Sequence, residues 1–244
     1  MKNKVLNYVL ATATIVSFVI YVFFVRYAEF TLDRLITTYS SLLLTGFGNT
    51  ILVSLITLVG SLLFGFILYL LSISKIPYFV AIVDVFTEVI YGTPLLVMIV
   101  LMAFLIGPAF RNFNRPVMGT LGLILYISPY MKNVYQSSFS SISKDQYMAM
   151  DLFGFTPMQR YRYLIIPQVI RVLMPPLMNN FSLIIKGSAL LYVLAFPELY
   201  YVINVAQSQT FLFVEGYILL WMMYLLITIP LSQLTKWIER VLRT

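Results

Sequence analysis

The chain has 244 residues and a net charge of +7; 61% of its residues are hydrophobic, 10% are charged, and its mean hydropathy is +0.92. Soluble domains are about 25% charged, so this composition excludes a soluble protein and indicates an integral membrane protein, whose excess Lys and Arg belongs to cytoplasmic loops rather than to a nucleic-acid-binding surface. The absence of Cys and His excludes thiol nucleophiles, His-based proton relays and metal sites built from these two residue types.

Six apolar segments are long enough to cross a membrane as helices, which takes about 20 mostly apolar residues. The first, residues 5–25, follows the basic MKNK terminus. Its charge pattern is that of a signal peptide, but the apolar run exceeds the usual core of roughly 7–15 residues and no small-x-small cleavage site follows, so we favour a retained helix over a cleaved leader. The other five segments lie near residues 49–73, 78–108, 117–140, 170–196 and 214–235.

Two stretches are less regular. The stretch from Arg26 to Gly48 mixes charged and apolar residues and is compatible with a surface helix on the outer face. Inside the third segment, Gly92-Thr93-Pro94 predicts a kink or break, because Pro94 lacks a backbone N–H and disfavours helical geometry at Thr93.

The positive charges predict the orientation. With six spans and the N-terminus inside, nine Lys and Arg residues face the cytoplasm and four face the outer side. The nine are Lys2, Lys4, Lys75, Lys144, Arg160, Arg162, Lys236, Arg240 and Arg243, and the four are Arg26, Arg34, Arg111 and Arg115. Because Lys and Arg are enriched in cytoplasmic loops, both termini are predicted to be cytoplasmic.

A polar stretch after the fourth segment predicts a helix, a sharp turn and a second helix. The range 146–153 contains good helix formers, and Gly154 is suited to the left-handed conformation that ends a helix. Thr156 is a good N-cap, Pro157 suits the first helical position, and Gln159 stands where a capping box has Glu or Gln.

The same stretch is predicted to end at Pro167, because the residue before a proline, here Ile166, is pushed toward extended geometry. A new membrane span would then begin. A short helix on the cytoplasmic side could be a docking element for another protein, and the stretch could equally be an ordinary basic loop between two spans.

A set of small, polar and proline residues stands in a characteristic order between residues 46 and 199. They are Gly46, Thr50, Ser54, Gly92-Thr93-Pro94-Leu95-Leu96, Gly154, Ile166, Pro167-Gln168, Arg171, Pro175, Asn179, Lys186 and Glu198-Leu199. Their order and spacing, with Gly154 and Pro167 thirteen residues apart, resemble the permeases of ATP-binding cassette (ABC) importers, in the branch for polar amino-acid uptake. The cytoplasmic loop of these permeases carries the EAA motif.

Several charges of the family pattern are replaced in this chain. The triplet that usually begins with Glu is Met148, Ala149 and Met150, and the Arg before Gly92 is Tyr91. A Glu and an Arg of the fourth span align with Asn133 and Gln136, and the Lys-Asp-Thr-Ser run is Lys186-Gly187-Ser188-Ala189. With its additional first helix, the chain resembles a divergent member of the family.

The resemblance implies an all-α integral membrane protein with about six transmembrane helices and the type I ABC importer permease fold. An additional helix would occupy residues 1–26, the transmembrane domain residues 42–240, and a cytoplasmic EAA-like coupling loop residues 144–167. The residues implied to couple to an ATPase are Met148, Ala149, Met150, Gly154, Phe155, Thr156, Pro157, Arg160 and Pro167.

Charged residues inside lipid are costly and usually face a partner or a water-filled path. Asp84 and Glu88 are four residues apart and share one helix face, and Lys132 and Lys186 are candidate counter-charges. These charges could line a substrate path or form structural ion pairs between helices; the second interpretation is favoured for Asp84 and Lys132. The residues predicted along the substrate path are Glu88, Thr93, Pro94, Asn133, Asn179, Lys186 and Ser188.

No GxxxxGK[S/T] phosphate-binding loop is present: residues 60–65 come nearest and are followed by Phe66. The chain is therefore predicted to bind no cofactor and to be no enzyme, with ATP-Mg bound by partner ATPase subunits. The resemblance also implies the partners: a second permease subunit, identical or related, an extracytoplasmic solute-binding protein, and surrounding membrane lipid. It further implies import of amino acids or similar small polar solutes across the cell membrane by alternating access.

The alternatives are a self-contained secondary transporter or channel, and a membrane-embedded enzyme, which no cluster of His, Cys or paired acids supports.

Overall fold

The structure is a computed structural model that describes residues 2–26 and 32–243. Within these ranges the chain is helical and contains no β-strand, which confirms the all-α class. The α-helices are α1 (Lys2–Arg26), α2 (Leu32–Ser72), α3 (Pro77–Gly92), α4 (Leu95–Leu101), α5 (Gly107–Ala109), α6 (Arg115–Ser140), α7 (Lys144–Leu152), α8 (Pro157–Gln159), α9 (Ile166–Ser188), α10 (Leu199–Thr210) and α11 (Phe213–Arg243). A π-helix at Met102–Ile106 joins α4 to α5, a second at Arg160–Ile165 joins α8 to α9, and a 3-10 helix at Ala189–Leu194 continues α9.

By length and composition, three of the described helices could cross a membrane: Leu32–Ser72, the continuous run Pro157–Leu194, and Phe213–Leu242. A bent pair, Pro77–Gly92 with Leu95–Ala109, makes a fourth if the two are counted as one span. Helix α6, at about 1.5 Å per residue, is roughly 39 Å long but carries more polar residues, and α1 contributes a shorter apolar stretch, Leu6–Tyr21. The chain is thus a membrane protein, and the total of six spans stays a prediction.

The break in the third segment is confirmed. The helix axis changes direction by 110° between the two parts of the bent pair. Thr93 is extended, with φ −102° and ψ 126°, and its hydroxyl donates to the carbonyl of Val89 at 2.7 Å. The steric effect of Pro94 on the preceding residue accounts for this geometry.

The stretch before the second span is helical from Leu32, where the structure describes it; residues 27–31 lie outside the described range. A kink at Tyr39, with φ −112° and ψ 16°, separates this first segment from the rest of α2, and most of its side chains are exposed. Its position on the outer face stays a prediction, and its buried side packs against a helix that the sequence did not reveal. Leu35 and Leu43 are buried against Leu199 and Val202 of α10, a helix that the sequence analysis did not predict.

Helix α2 packs closely against its neighbours because many residues on its buried face are small. Gly60 and Gly65 face α6, and a Cβ atom at Gly65 would lie 2.6 Å from Cβ of Met131 and 2.8 Å from the carbonyl oxygen of Ser128. Only glycine permits this approach. Close contact through small residues is the usual way in which membrane helices associate, since lipid supplies no hydrophobic drive between them.

Candidate functional site

The turn between α7 and α8 has the geometry that the sequence predicts. Ser143 caps α7 by accepting from the backbone N–H of Gln146 at 3.3 Å. Gly154, just past the helix end, has φ +68°, which confirms the left-handed conformation. A Cβ atom there would meet nothing within 4 Å, so conformation rather than space calls for glycine.

The predicted capping box at the start of α8 is also confirmed. The Thr156 hydroxyl accepts from the Gln159 N–H at 3.4 Å, and the Gln159 side-chain oxygen accepts from the Thr156 N–H at 2.9 Å. Pro157 occupies the first turn, where its missing N–H costs nothing. The direction in which α8 leaves the turn is therefore fixed by local hydrogen bonds.

Arg160 links the two ends of the turn. Its guanidinium forms an ion pair with Asp151 at the end of α7, the one ion pair in the described part of the chain, and its Nε donates to the carbonyl of Phe155 at 2.9 Å. Burial raises the pKa of the Tyr147 phenol on α7, and the neighbouring Tyr161 phenol raises it further. The turn is thus braced by interactions within the chain.

The predicted break at Pro167 is wrong. Ile166 is helical, with φ −57° and ψ −47°, and the run from Pro157 to Leu194 is one continuous helix. The π-helix at Arg160–Ile165 explains the difference, because the N–H of Ile166 reaches back five residues to Tyr161. The wider turn gives the proline ring room that a regular α-helix lacks.

An apolar groove lies along this turn, which we call the α7–α8 groove. It has a volume of about 460 Å³ and is lined by Gln146, Ala149, Met150, Phe153, Phe155, Leu164 and Gln168. Leu152 and Phe153 beside it are 88% and 81% exposed. Exposed apolar surface of this kind on a loop that is predicted to lie outside the membrane is typical of a protein-protein contact.

The predicted coupling residues divide into two groups. Met148 is exposed and Ala149 lines the α7–α8 groove. Met150 is buried and packs with Ile142, Ile165 and Val169 beneath the groove. Met150 therefore lines the floor of the groove and joins it to the core below.

Two replacements of family residues lie in direct contact. The Asn133 side chain of α6 donates to the Tyr91 hydroxyl of α3 at 2.7 Å, and the Tyr91 ring lies 5.0 Å from the ring of Tyr130. The sequence predicts that Tyr91 replaces an Arg and Asn133 a Glu of the family pattern; the structure shows that these two side chains form a neutral hydrogen bond. We refer to Glu88, Tyr91 and Asn133 as the α3–α6 face.

The structure does not form the ion pairs predicted inside the membrane. Among the described residues, Asp84, Glu88 and Lys186 are exposed and Lys132 is 8% exposed, and none of the four is in a salt bridge. The interpretation as structural ion pairs within one chain, favoured for Asp84 and Lys132, is therefore wrong.

The remaining path residues fall in three places. Thr93 and Pro94 form the break, and the start of α4 just after it lies against α9, because a Cβ atom at Gly187 would be 3.1 Å from the side chain of Leu95. Ser188 is buried and its hydroxyl donates to the carbonyl of Ile185 at 2.8 Å. Asn179 lines a separate cleft between α9 and α11.

Glu198 is a residue whose role the sequence did not reveal. It is fully buried and caps α10, accepting from the N–H groups of Tyr200 and Tyr201 at 3.0 and 2.8 Å and from the Tyr224 hydroxyl of α11 at 3.1 Å. The Leu199 N–H donates to Thr50 of α2 at 3.1 Å. The motif residues Thr50 and Glu198 thus join α2, α10 and α11. The signal available in the sequence was an acidic residue directly before an unassigned helix.

Comparison with known proteins agrees with this arrangement. The family described as the binding-protein-dependent transport system inner membrane component matches residues 61–244. A probable glutamine ABC transporter permease protein of Bacillus subtilis (strain 168) is 31% identical over 200 residues, which cover 82% of this chain and 93% of that protein. A probable amino-acid ABC transporter permease protein of Vibrio harveyi is 28% identical over 201 residues, which cover 81% of this chain and 90% of that protein.

A solved structure shows the same fold. A chain from the crystal structure of an amino acid ABC transporter with histidines matches with a TM-score of 0.76 and 28% identity, over 84% of this chain and 96% of that chain. The chain therefore belongs to the family of binding-protein-dependent inner-membrane permeases, the membrane subunits of ABC importers. Such subunits work with ATPase and binding-protein partners, and the match favours this function over a self-contained transporter or channel.

Proposed function

We propose that this chain forms the membrane path of an ATP-driven importer for amino acids or closely similar small polar solutes. The observation that carries the proposal is the joint match of sequence and fold to permeases whose names specify amino acids, over more than four-fifths of this chain. The neutral Tyr91–Asn133 pair, standing where the family pattern carries two charges, supports a solute without net charge.

The α7–α8 groove is the proposed ATPase contact. Ala149 and Phe155 line it, Met148 and Pro157 flank it, and Gly154 sets the angle between its two helices. Met150 and Pro167 act in support, the first from below the groove and the second within the helix that follows. ATP-Mg would be bound by the partner ATPases, since this chain has no phosphate-binding loop.

The proposed path runs past the α3–α6 face and the break at Thr93 and Pro94 to Lys186. Charges that have no partner in one chain are stabilised when a second permease subunit, water or solute faces them. A dimer, with itself or with a related permease, would supply such a facing surface. Asn179 and Ser188 lie on α9 with Lys186, and we assign both a supporting role in the path. Ser188 would do so by its hydrogen bond to Ile185 at the end of the helix.

ATP-dependent uptake tests the function. The chain, co-expressed with its partner ATPase and solute-binding protein, would be reconstituted in liposomes and supplied with labelled neutral, acidic and basic amino acids. We expect uptake only with ATP and the binding protein, and more of neutral than of charged amino acids. Uptake that runs without the ATPase would contradict the proposal and support a secondary transporter.

The proposed orientation has both termini in the cytoplasm. Because the chain has no Cys, single cysteines at Asn3, Ser143 and Thr244 give a clean labelling background. All three should resist a membrane-impermeant thiol reagent in intact cells and react after the membrane is opened. Labelling of the Ser143 position in intact cells would reverse this part of the topology.

A further inference from the structure

A mixed polar and apolar cleft lies between α9 and the C-terminal part of α11. Its volume of about 350 Å³ is within the range of small-molecule sites, roughly 300–1,000 Å³. Its polar lining consists of Asn179 and Ser182 from α9 and of Ser232, Thr235, Lys236 and Glu239 from α11. Apolar side chains of both helices complete the wall.

The cleft presents one cation and one anion without pairing them. Lys236 and Glu239 are three residues apart on α11 and both line the cleft, yet these two described side chains form no salt bridge with each other. The side chains of Asn179, Ser182 and Ser232 donate no hydrogen bond to another described residue. This set of groups complements a ligand that carries an anionic group and an ammonium group close together.

A second, apolar groove lies further along α11; Ile229 in its lining is three residues from Ser232 in the lining of the cleft. It has a volume of about 340 Å³ and is lined by Met222, Leu225, Leu226, Ile229 and Pro230. Residues 229, 232 and 236 follow one line on the helix surface, and the rise from 229 to 236 is about 10 Å. Along this line the surface changes from charged to hydroxyl to aliphatic.

This gradient has the direction of a membrane leaflet. Trp237, beside Lys236, is 60% exposed, and Arg240 follows one turn later, near the end of the apolar helix Phe213–Leu242. Exposed Trp and basic residues at a helix end mark the headgroup level of a bilayer. The cleft therefore lies at headgroup depth and the apolar groove at acyl-chain depth.

We propose that the α9–α11 cleft binds one phospholipid with an ethanolamine headgroup. The phosphate lies against Lys236, the ammonium against Glu239, and an acyl chain follows Leu225 and Ile229 into the bilayer. A free amino acid carries the same two charges but has no chain to cover the apolar groove, so the two surfaces together favour the lipid. The site is separate from the proposed ATPase contact and from the α3–α6 face.

Native mass spectrometry of the full chain tests the proposal. The protein would be purified in a mild detergent that contains phosphatidylethanolamine and phosphatidylglycerol in equal amounts. The wild type should retain phosphatidylethanolamine over phosphatidylglycerol by about fivefold, the factor expected from one exposed ion pair. Glu239→Lys should reverse the preference, because two cations then face an anionic headgroup, and Lys236→Ala should lower retention of both lipids.

Matched controls lie on α7, where Lys144→Ala and Asp145→Asn change exposed charges far along the chain from the cleft. Both should keep the wild-type lipid ratio. If Glu239→Lys does not fold, Glu239→Gln should abolish the preference without reversing it. Equal retention of the two lipids by the wild type, an unchanged ratio in the Glu239 variants, or displacement of the lipid by free L-glutamine would overturn the assignment.

Discussion

The α7–α8 turn and the α3–α6 face are both polar, yet they differ in where their polar groups find partners. In the turn, Thr156, Gln159 and Arg160 bond to atoms a few residues away, and every charge that shapes the turn is paired within the chain. On the α3–α6 face, Tyr91 and Asn133 bond to each other, but Glu88 has no cationic partner in the described structure. The first region is complete in one chain, and the second is incomplete without another molecule.

The strongest way to break this contrast is Gly154→Val. A side chain in the left-handed conformation costs roughly 1–2 kcal/mol, so α8 should leave the turn in a different direction. We expect normal membrane insertion but loss of ATPase co-purification and of ATP-dependent uptake. Gly154→Asn is the matched control, since Asn tolerates this conformation, and it should retain both. Equal ATPase recovery with Gly154→Val and the wild type would remove the docking role of the turn.

Lys186→Met tests the proposed path beyond the α3–α6 face. Loss of a charge-assisted contact made during transport should lower the uptake rate by about tenfold, while the amount of folded protein in the membrane changes little. Lys186→Arg keeps the charge and should retain most of the uptake. If uptake and folded amount fall in parallel, Lys186 is structural; if reversing Glu88 and Lys186 together restores uptake, the two form a simple ion pair.

A third substitution set rebuilds the charges of the family pattern. Tyr91→Arg alone places an unpaired cation beside Asn133 and should lower the thermal stability of the protein. The physical reason is that a charge in a membrane helix costs about 2.5–3.5 kcal/mol on insertion scales. Adding Asn133→Glu should recover most of the lost thermal stability, with a coupling of about 1 kcal/mol or more. Purely additive losses in the double variant would show that positions 91 and 133 do not act as a pair.

The smallest expected effect is that of Asp151→Asn in the turn. Asp151 is 61% exposed, and exposed ion pairs contribute about 0–1 kcal/mol, so ATPase binding should weaken by no more than about fivefold. The capping box alone should keep α8 in place. Asp145→Asn, at the start of α7, controls for the lost negative charge. Complete loss of ATPase binding with Asp151→Asn would show that the ion pair, and not the backbone of the turn, sets the geometry.

The sequence predicts these two regions unequally, for physical reasons. The capping box and Gly154 depend on residues within five positions of each other, so local rules suffice. Pro94 and Pro167 carry the same local signal, yet Thr93 is extended and Ile166 is helical, because a π-helix precedes only the second. Position within the packed molecule decides between these outcomes.

Long-range packing accounts for the other differences. Helix α10 is short, and its start is held by residues remote in sequence: Tyr224 of α11 donates to the N-cap Glu198, and the Leu199 N–H donates to Thr50 of α2. The same helix buries Leu35 near the start of α2, whose other described side chains before Tyr39 are partly or fully exposed. The Tyr91–Asn133 bond joins residues 42 positions apart, and only the fold shows that these two side chains are in contact.

The continuity of the chain through Pro167 has a mechanical consequence. The run Pro157–Leu194 has 38 residues, which at about 1.5 Å each make a rod roughly 57 Å long. A rod of this length that tilts by about 5° moves its far end by roughly 5 Å, a displacement as large as one helical turn. A flexible joint at Pro167 would absorb such a displacement. A continuous helix transmits it from the edge of the α7–α8 groove to the neighbourhood of Lys186.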